Sequence, residues 1–290
     1  MNRCFAMMCA LLFAFVSVSS ACMAAPSDWV SFDLRGQRDQ GEIRATFRDE
    51  RRGNDDNEWS GGFKPSELIG LDVGGFYLAG SRPLRFAVVR EAGRLDCAGN
   101  GGSSHMGGNC NFSADAGFLK LLADRGIGTP SREQIFGLVA LDVHRALIDA
   151  VTAARYPTPT IDDLISMTAI GVTPAYISEL ASAGYRPKSI DSLVQFKALE
   201  ITPQWIGGLA SIGYANIPAD DLVQLKALNI GADYISGFNS IGYGRLPVDE
   251  LVQLKALNVT PEFARTAAAS RRPLPSVDEL VQMKMFGRVR

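Results

Sequence analysis

Five leucines in the second half of the chain are spaced 29 residues apart, and this period constrains the fold more than any other feature. They are Leu164, Leu193, Leu222, Leu251 and Leu280. An aspartate stands two residues before each leucine, and isoleucine or valine follows it directly. A weaker copy surrounds Ile135, so five copies and a final half copy run from Ser131 to Arg290. Self-similarity at a fixed period indicates stacked copies of one small structural unit.

Each copy carries the start and stop signals of two helices. A capping or first-turn residue opens the first helix at Thr160, Ser189, Pro218, Pro247 and Ser276. Threonine followed by proline, or a weaker Gly-Ala, opens the second helix at Thr173, Thr202, Gly231 and Thr260. The second helix ends before a Gly-Tyr pair at Gly184, Gly213 and Gly242. Copy five has Arg271-Arg272 in place of that pair. Two such short helices cannot bury their apolar faces alone, so the pattern predicts copies stacked into an α-solenoid.

The first third of the chain shows the period-two alternation of β-strands. We expect strands around Val30–Leu34, Ile43–Phe47, Leu84–Arg90, Leu95–Cys97 and Cys110–Phe112, and a helix over Ala114–Arg125. The polar run between Arg48 and Gly62 is interpreted as a solvated loop, because it lacks the spaced oxygen ligands of a calcium loop. The glycine-rich run Gly99–Gly108 lacks the lysine of a phosphate loop and is interpreted as a mobile hairpin tip.

Residues 1–24 read as a secretory signal peptide. Arg3 gives a positive start, an uncharged apolar stretch follows, and small residues precede Ala25. Lipidation at Cys22 and an uncleaved membrane anchor are the alternatives, although the apolar stretch is short for a span. The chain is therefore expected to be periplasmic or secreted.

Export leaves Cys97 and Cys110 as an even pair, since Cys4, Cys9 and Cys22 lie in the signal peptide. A disulfide is the simplest expectation for such a pair. His105 lies between the two cysteines and opens the alternative of a metal site, but the spacing fits no common zinc pattern. We therefore expect no metal and no cofactor.

The sequence predicts an α+β fold with a small antiparallel β-rich domain followed by an α-solenoid of 29-residue helix-turn-helix repeats. Its parts are a signal peptide over residues 1–24, a β-rich domain with a disulfide hairpin over 25–128 and a helical repeat domain over 129–290.

Two rows of equivalent residues in the repeats are candidates for a binding surface. The aromatic row lies near the start of the second helix and consists of Tyr176, Trp205, Tyr234 and Phe263. The lysine row lies on the first helix and consists of Lys197, Lys226, Lys255 and Lys284. The aromatic row is expected either to bind a peptide or glycan or to fill the core between repeats. The lysine row is expected either to bind an anionic ligand or to cover apolar neighbours with its side-chain stems.

The sequence Asp-x-Leu-Val-x-x-Lys followed by Val-Thr-Pro-Glu-Phe, from Asp249 to Phe263, resembles a known tandem repeat. Similar repeats follow the membrane peptidase domain of bacterial BlaR1-like sensor proteins and occur in exported bacterial proteins. The likeness covers about residues 84–290 and implies architecture more than activity. The His-Glu-x-x-His motif of that peptidase is absent, and Leu257-Asn258 replaces the His-Gly of those relatives. The role of that histidine is therefore not carried over.

Charge and motifs narrow the function. The 29 basic residues nearly balance the 31 acidic ones. The segment from Ala169 to Tyr176 resembles a helix-hairpin-helix, in which hairpin glycines such as Gly171 hold a phosphate, but Glu200 takes the place of Gly171 in the next copy and would repel a phosphate. Nucleic-acid binding is therefore not expected. No motif places a nucleophile beside His105 or His144, the two histidines of the chain. The leading hypothesis is a non-enzymatic envelope protein that binds a protein or peptide, with a sensory or regulatory role. The alternative is an envelope hydrolase with its site near His105.

Overall fold

The computed structural model describes residues 29–36, 41–49, 58–269 and 273–287. The signal peptide with Cys22, most of the polar run after Arg48, and Arg271-Arg272 lie outside these ranges. The fold is α+β, with an antiparallel sheet followed by helices, as the sequence predicted.

Six antiparallel strands form one sheet in the order β3-β2-β1-β6-β5-β4. The strands are β1 (Trp29–Gly36), β2 (Ile43–Arg48), β3 (Glu58–Phe63), β4 (Arg82–Arg90), β5 (Gly93–Gly102) and β6 (His105–Ala114). Apolar residues alternate along the strands, so one face is buried and the other is polar. Phe32 and Phe86 meet edge to face on the buried side, with ring centroids 5.0 Å apart.

The expectation of a loop from Arg48 to Gly62 is wrong for its last part. Strand β3 pairs with β2, with Trp59 opposite Phe47 and Phe63 opposite Ile43. Its serine and two glycines have low β-propensity, which hid the strand in the sequence. Burial of Phe63 against the core outweighs that low propensity.

The expected hairpin joined by Cys97 and Cys110 is present, but the expectation of a loop over Gly99–Gly108 is wrong. Strands β5 and β6 stay paired up to a two-residue turn at Ser103 and Ser104, whose φ angles are 54° and 67°. Positive φ at both positions matches the tight hairpin turn that follows strand twist. The amides of Ser103 and Ser104 donate to the carbonyls of Leu78 and Phe76, at 2.7 and 3.0 Å. The glycines fit close strand contact, because a Cβ on Gly99 would clash with the Gly107 carbonyl.

Cys97 and Cys110 are directly opposite each other on β5 and β6, and a disulfide joins them. Both side chains lie on the buried face of the sheet. The bond therefore links two strands that are already paired at the centre of the hairpin.

Thirteen α-helices are present among the described residues. Two precede the repeats, namely α1 (Val73–Tyr77) and α2 (Ala116–Asp124). The first helices of the copies are α3 (Arg132–Ala140), α5 (Ile161–Ala169), α7 (Ile190–Ala198), α9 (Ala219–Ala227), α11 (Val248–Ala256) and α13 (Val277–Phe286). The second helices are α4 (Arg145–Ala153), α6 (Pro174–Ser182), α8 (Pro203–Ser211), α10 (Ala232–Asn239) and α12 (Pro261–Ala269).

The helix ends follow the start and stop signals in the sequence. Thr173 and Thr202 are N-caps whose hydroxyls accept the amides of Tyr176 and Trp205. After α6, the amide of Tyr185 donates to Leu180 and that of Gly184 donates to Ala181, at 2.9 and 3.0 Å. These two hydrogen bonds form the glycine-terminated helix end expected for the second helices, so that prediction is confirmed.

The sheet and the first copy share one apolar core. Helix α3 packs on β5 and β6, where Phe136 meets Phe112 edge to face at 6.2 Å. The carboxylate of Glu91 accepts the Arg145 amide at 2.8 Å and so caps α4 from the β4–β5 turn. Burial raises the pKa of Glu91, but its bonds to Arg145 and His144 outweigh this and leave the pKa below its ordinary value.

Candidate functional site

The structure brings the lysine row and the aromatic row together. Each lysine lies near the end of a first helix, and each aromatic residue is the third residue of the second helix just before it. The four ammonium groups lie over the four rings, and the partners are always 21 positions apart in the sequence. The nitrogen-to-centroid distances are 4.9 Å for Lys197–Tyr176, 5.3 Å for Lys226–Trp205, 4.7 Å for Lys255–Tyr234 and 5.1 Å for Lys284–Phe263. We call this set the lysine–aromatic row.

Backbone contacts hold the rings in place. The Tyr176 hydroxyl donates to the Ile201 carbonyl at 2.8 Å, and the Tyr234 hydroxyl donates to the Val259 carbonyl at 2.7 Å. Burial, with a smaller contribution from the charge of Tyr156, raises the pKa of Tyr176 to about 12. Burial likewise raises the pKa of Tyr234. Both phenols therefore stay neutral donors at physiological pH.

The lysine ends remain open to a further partner. All four lysines are half-buried, with their stems on the protein. Within the described ranges, none of the four ammonium groups forms an ion pair or a hydrogen bond with the protein. A cation over a ring gains about 0.5–2 kcal/mol and keeps its N–H donors. The row therefore offers four positioned cations that no carboxylate of the described residues binds.

A groove of about 730 Å³ runs beside the first pairs of the row. Tyr176, Lys197 and Lys226 line it. The remaining lining residues include Ile170, Thr173, Glu179, Glu200, Pro203 and Gln204. The groove therefore combines two lysines and two glutamates with apolar side chains such as Ile170 and Pro203, which suits a peptide better than a uniformly charged ligand.

The sequence identified both rows as candidates, but it did not predict that they pair or that Glu179 and Glu200 line the same groove. The signal for the pairing was present, because the 21-residue offset recurs in four copies. Glu179 and Glu200 had no such signal, since the equivalent residues in the next copy are Gly208 and Asn229.

His105, the centre of the alternative site, is bonded to Asp33 on β1. Its Nε2 lies 2.6 Å from the Asp33 carboxylate, which also accepts from Arg35 at 2.7 Å. Burial raises the pKa of Asp33, but the bonds to His105 and Arg35 outweigh it and hold the pKa below its usual range. Ser103 and Ser104 make no side-chain hydrogen bond to His105 in the described part of the chain. Nor do the described residues group three or more histidine, cysteine, aspartate or glutamate side chains where a metal ion could bind.

A second cavity of about 560 Å³ lies between β3 and the first repeat helices. Trp59, Phe136 and Ile165 form its apolar wall, and Glu58, Glu133 and Asp162 lie at its edge. Arg48 pairs with the Glu58 carboxylate at 2.7 Å, and Gln134 donates to the Asp162 carboxylate at 2.8 Å. This cavity was not indicated by any motif in the sequence.

No protein-family model, curated protein or solved structure matches this chain. In the part of the chain that the structure describes, no single helix is long and apolar enough to span a membrane. Helices α5 and α6 pass that criterion only as a pair, with a bend of 85° between them.

Proposed function

We propose that this chain is an exported, non-enzymatic binding protein whose repeats form an α-solenoid for a protein or peptide of the cell envelope. The observation that carries the proposal is the lysine–aromatic row, because four copies present the same positioned cation and a groove lies beside the first two. A sensory or regulatory role fits the resemblance to repeats of BlaR1-like sensor proteins.

Contacts between the copies support the solenoid. Helices α3, α5, α7, α9, α11 and α13 contact one another in that order. Tyrosines also bond to the following copy: the Tyr214 hydroxyl donates to the Leu246 carbonyl at 2.6 Å, and the Tyr185 hydroxyl accepts from the Ile217 amide at 3.1 Å. Nearest-neighbour contact of this kind is the basis of repeat-protein stability.

The sequence of residues 1–24 and the disulfide support export. A bonded pair of cysteines fits an oxidising compartment such as the periplasm. The buried disulfide gives no support to a role of Cys97 and Cys110 as metal ligands.

Site-directed photo-crosslinking in the native envelope tests the proposal. A crosslinking residue at Gln204, which is exposed and lines the groove, should capture a partner protein. The same residue at exposed Asn111, on the polar face of the sheet, is the matched control. Capture should be lost when the four lysines are changed to glutamine. Equal capture from both positions, or capture that ignores the lysines, would contradict the proposal.

A hydrolase near His105 is the second candidate. The Asp33–His105 bond favours it, because a carboxylate that orients a histidine is part of many acid–base sites. His105→Ala should abolish turnover of an envelope substrate by the purified protein if this reading is right. A variant with unchanged activity or unchanged phenotype would discard it.

A further inference from the structure

We infer that the occupant of the lysine–aromatic row is an extended acidic segment of the partner, with a carboxylate at about every third residue. This inference rests on the proposed function and names the chemistry of its ligand.

The spacing of the row sets the spacing of the ligand charges. The lysines lie at equivalent positions on α7, α9, α11 and α13, which contact one another in order. Packed helix axes lie about 8–10 Å apart, so we expect neighbouring ammonium groups to repeat at about that distance. Three residues span about 10 Å in a β-strand and about 9.3 Å in a polyproline helix. Two or four extended residues span about 6.6 or 13 Å and fall out of register.

The four ammonium groups are positioned before a ligand binds, which favours a ligand whose carboxylates have the same spacing. Each ammonium is held over a ring, and two of the rings are tied to backbone carbonyls through their hydroxyls. The cations are therefore ordered before a ligand arrives, which lowers the entropy cost of binding.

Acidic residues beside the row select against densely charged polymers. Glu179 and Glu200 line the same groove as Lys197 and Lys226. Asp233 and Glu262 occupy the positions equivalent to Gln204, another groove residue, in the next two copies. A polymer with a phosphate on every unit would meet these carboxylates at each step. A peptide with neutral residues between its acids places neutral groups there instead.

Two labelled peptides of identical composition test the spacing. One has four aspartates separated by pairs of neutral serine and proline residues, and its isomer has the four aspartates adjacent. We expect the spaced peptide to bind the purified full chain about tenfold more tightly by fluorescence anisotropy at low salt, since four exposed ion pairs together supply about that factor. Equal affinity of the two isomers, or tighter binding of the clustered one, would overturn the inference.

Variants connect the binding to the row. Changing Lys197, Lys226, Lys255 and Lys284 to methionine keeps the apolar stems over the rings and should weaken the spaced peptide about tenfold. Changing the same four to arginine keeps charge and ring contact and should retain binding. The control changes Lys64, Lys120 and Lys188, which lie outside the row, to methionine and should alter affinity less than about twofold. Loss of affinity in this control to the same degree would show only general charge attraction.

Other occupants give different results. Polyphosphate that binds more tightly than the spaced peptide and needs the same lysines would replace the inference with a dense polyanion. Salt-sensitive self-association by light scattering, lost in the methionine variant, would replace it with a second copy of this chain. If the Gln204 crosslink captures a lysine-dependent partner while the spaced peptide fails, the proposed function stands and this inference falls. If neither binds, both fall.

Discussion

At the residue scale, each first helix is followed by one residue in the left-handed backbone conformation. The residues there have φ between 52° and 77° and occur at 29-residue intervals. They are Asp142, Gly171, Glu200, Asn229, Asn258 and Gly287. The amide of Glu200 donates to the Lys197 carbonyl at 3.0 Å, and that of Ile201 donates to Phe196 at 2.8 Å. This is the same stop as at the second helices, so Gly171 is a helix stop and does not need the phosphate-binding reading of a hairpin glycine.

Glu200→Gly should therefore stabilise the protein. Glutamate at a φ of 54° is strained, and glycine adopts that angle freely, as Gly171 and Gly287 do at the equivalent positions. After allowing for the greater freedom of glycine in the unfolded chain, we expect a gain of about 0.5–1 kcal/mol. Urea unfolding measures it. Glu200→Ala removes the charge but keeps the strain, so an equal gain in that control would assign the effect to charge.

At the element scale, apolar period and cap chemistry could be read directly from the sequence, because they act within a few residues. The starts at Thr160, Thr173 and Ser276 are N-caps in the structure, as predicted. The full length of strands β5 and β6 could not be predicted from the sequence, because it depends on distant partners. Gly99 and Gly108 pair closely across the hairpin, and Leu78 and Phe76 accept from its turn. Local propensity carries no information on such partners.

Leu222→Ala should cost about 2–5 kcal/mol of unfolding free energy. The Leu222 side chain is 0% exposed, and its truncation leaves a cavity between helices. Gln224→Ala on the same helix is exposed and should change stability by less than about 0.5 kcal/mol. Paired urea titrations compare them. A wild-type midpoint for Leu222→Ala would contradict the assignment of this leucine to the core.

At the scale of the whole molecule, no sequence pattern indicates how the sheet contacts the helices. The contact depends on pairs far apart in the chain, such as Phe112 with Phe136 and Glu91 with the Arg145 amide. The pairing of the lysine and aromatic rows joins neighbouring copies, so the constant 21-residue offset is its only signal in the sequence. The 29-residue period could be predicted, because every copy repeats the same short-range start and stop signals of its helices.

The junction should weaken in acid in a way that depends on Glu91. The folded state holds the pKa of Glu91 below its ordinary value of 4.5, so its stabilisation is fully present above that value. It is lost as the pH falls through the lower pKa of the folded state. Because Glu91 is partly exposed, Glu91→Gln should cost about 1 kcal/mol or less at neutral pH. The difference from wild type in urea unfolding should shrink towards zero in acid, whereas exposed Glu179→Gln should show little difference at any pH. A difference that grows on acidification would contradict this role.

The continuous core predicts that sheet and helices unfold together. Buried residues from β1 to α13 belong to one connected apolar cluster, and Phe136 joins its two parts. Trp205→Phe leaves Trp29 and Trp59 as the tryptophans, both on strands, and places at position 205 the residue that copy five has at Phe263. In this variant, tryptophan fluorescence follows the sheet while far-ultraviolet circular dichroism follows mainly the helices. We expect the two urea transitions to coincide, as in a two-state unit.

Separate midpoints would show that the shared core at Phe136 is too weak to couple the sheet to the repeats. In that case truncating the sheet side of this contact, by Phe112→Ala on β6, should leave the helical transition unchanged, whereas a coupled molecule should lose about 3–5 kcal/mol by both probes.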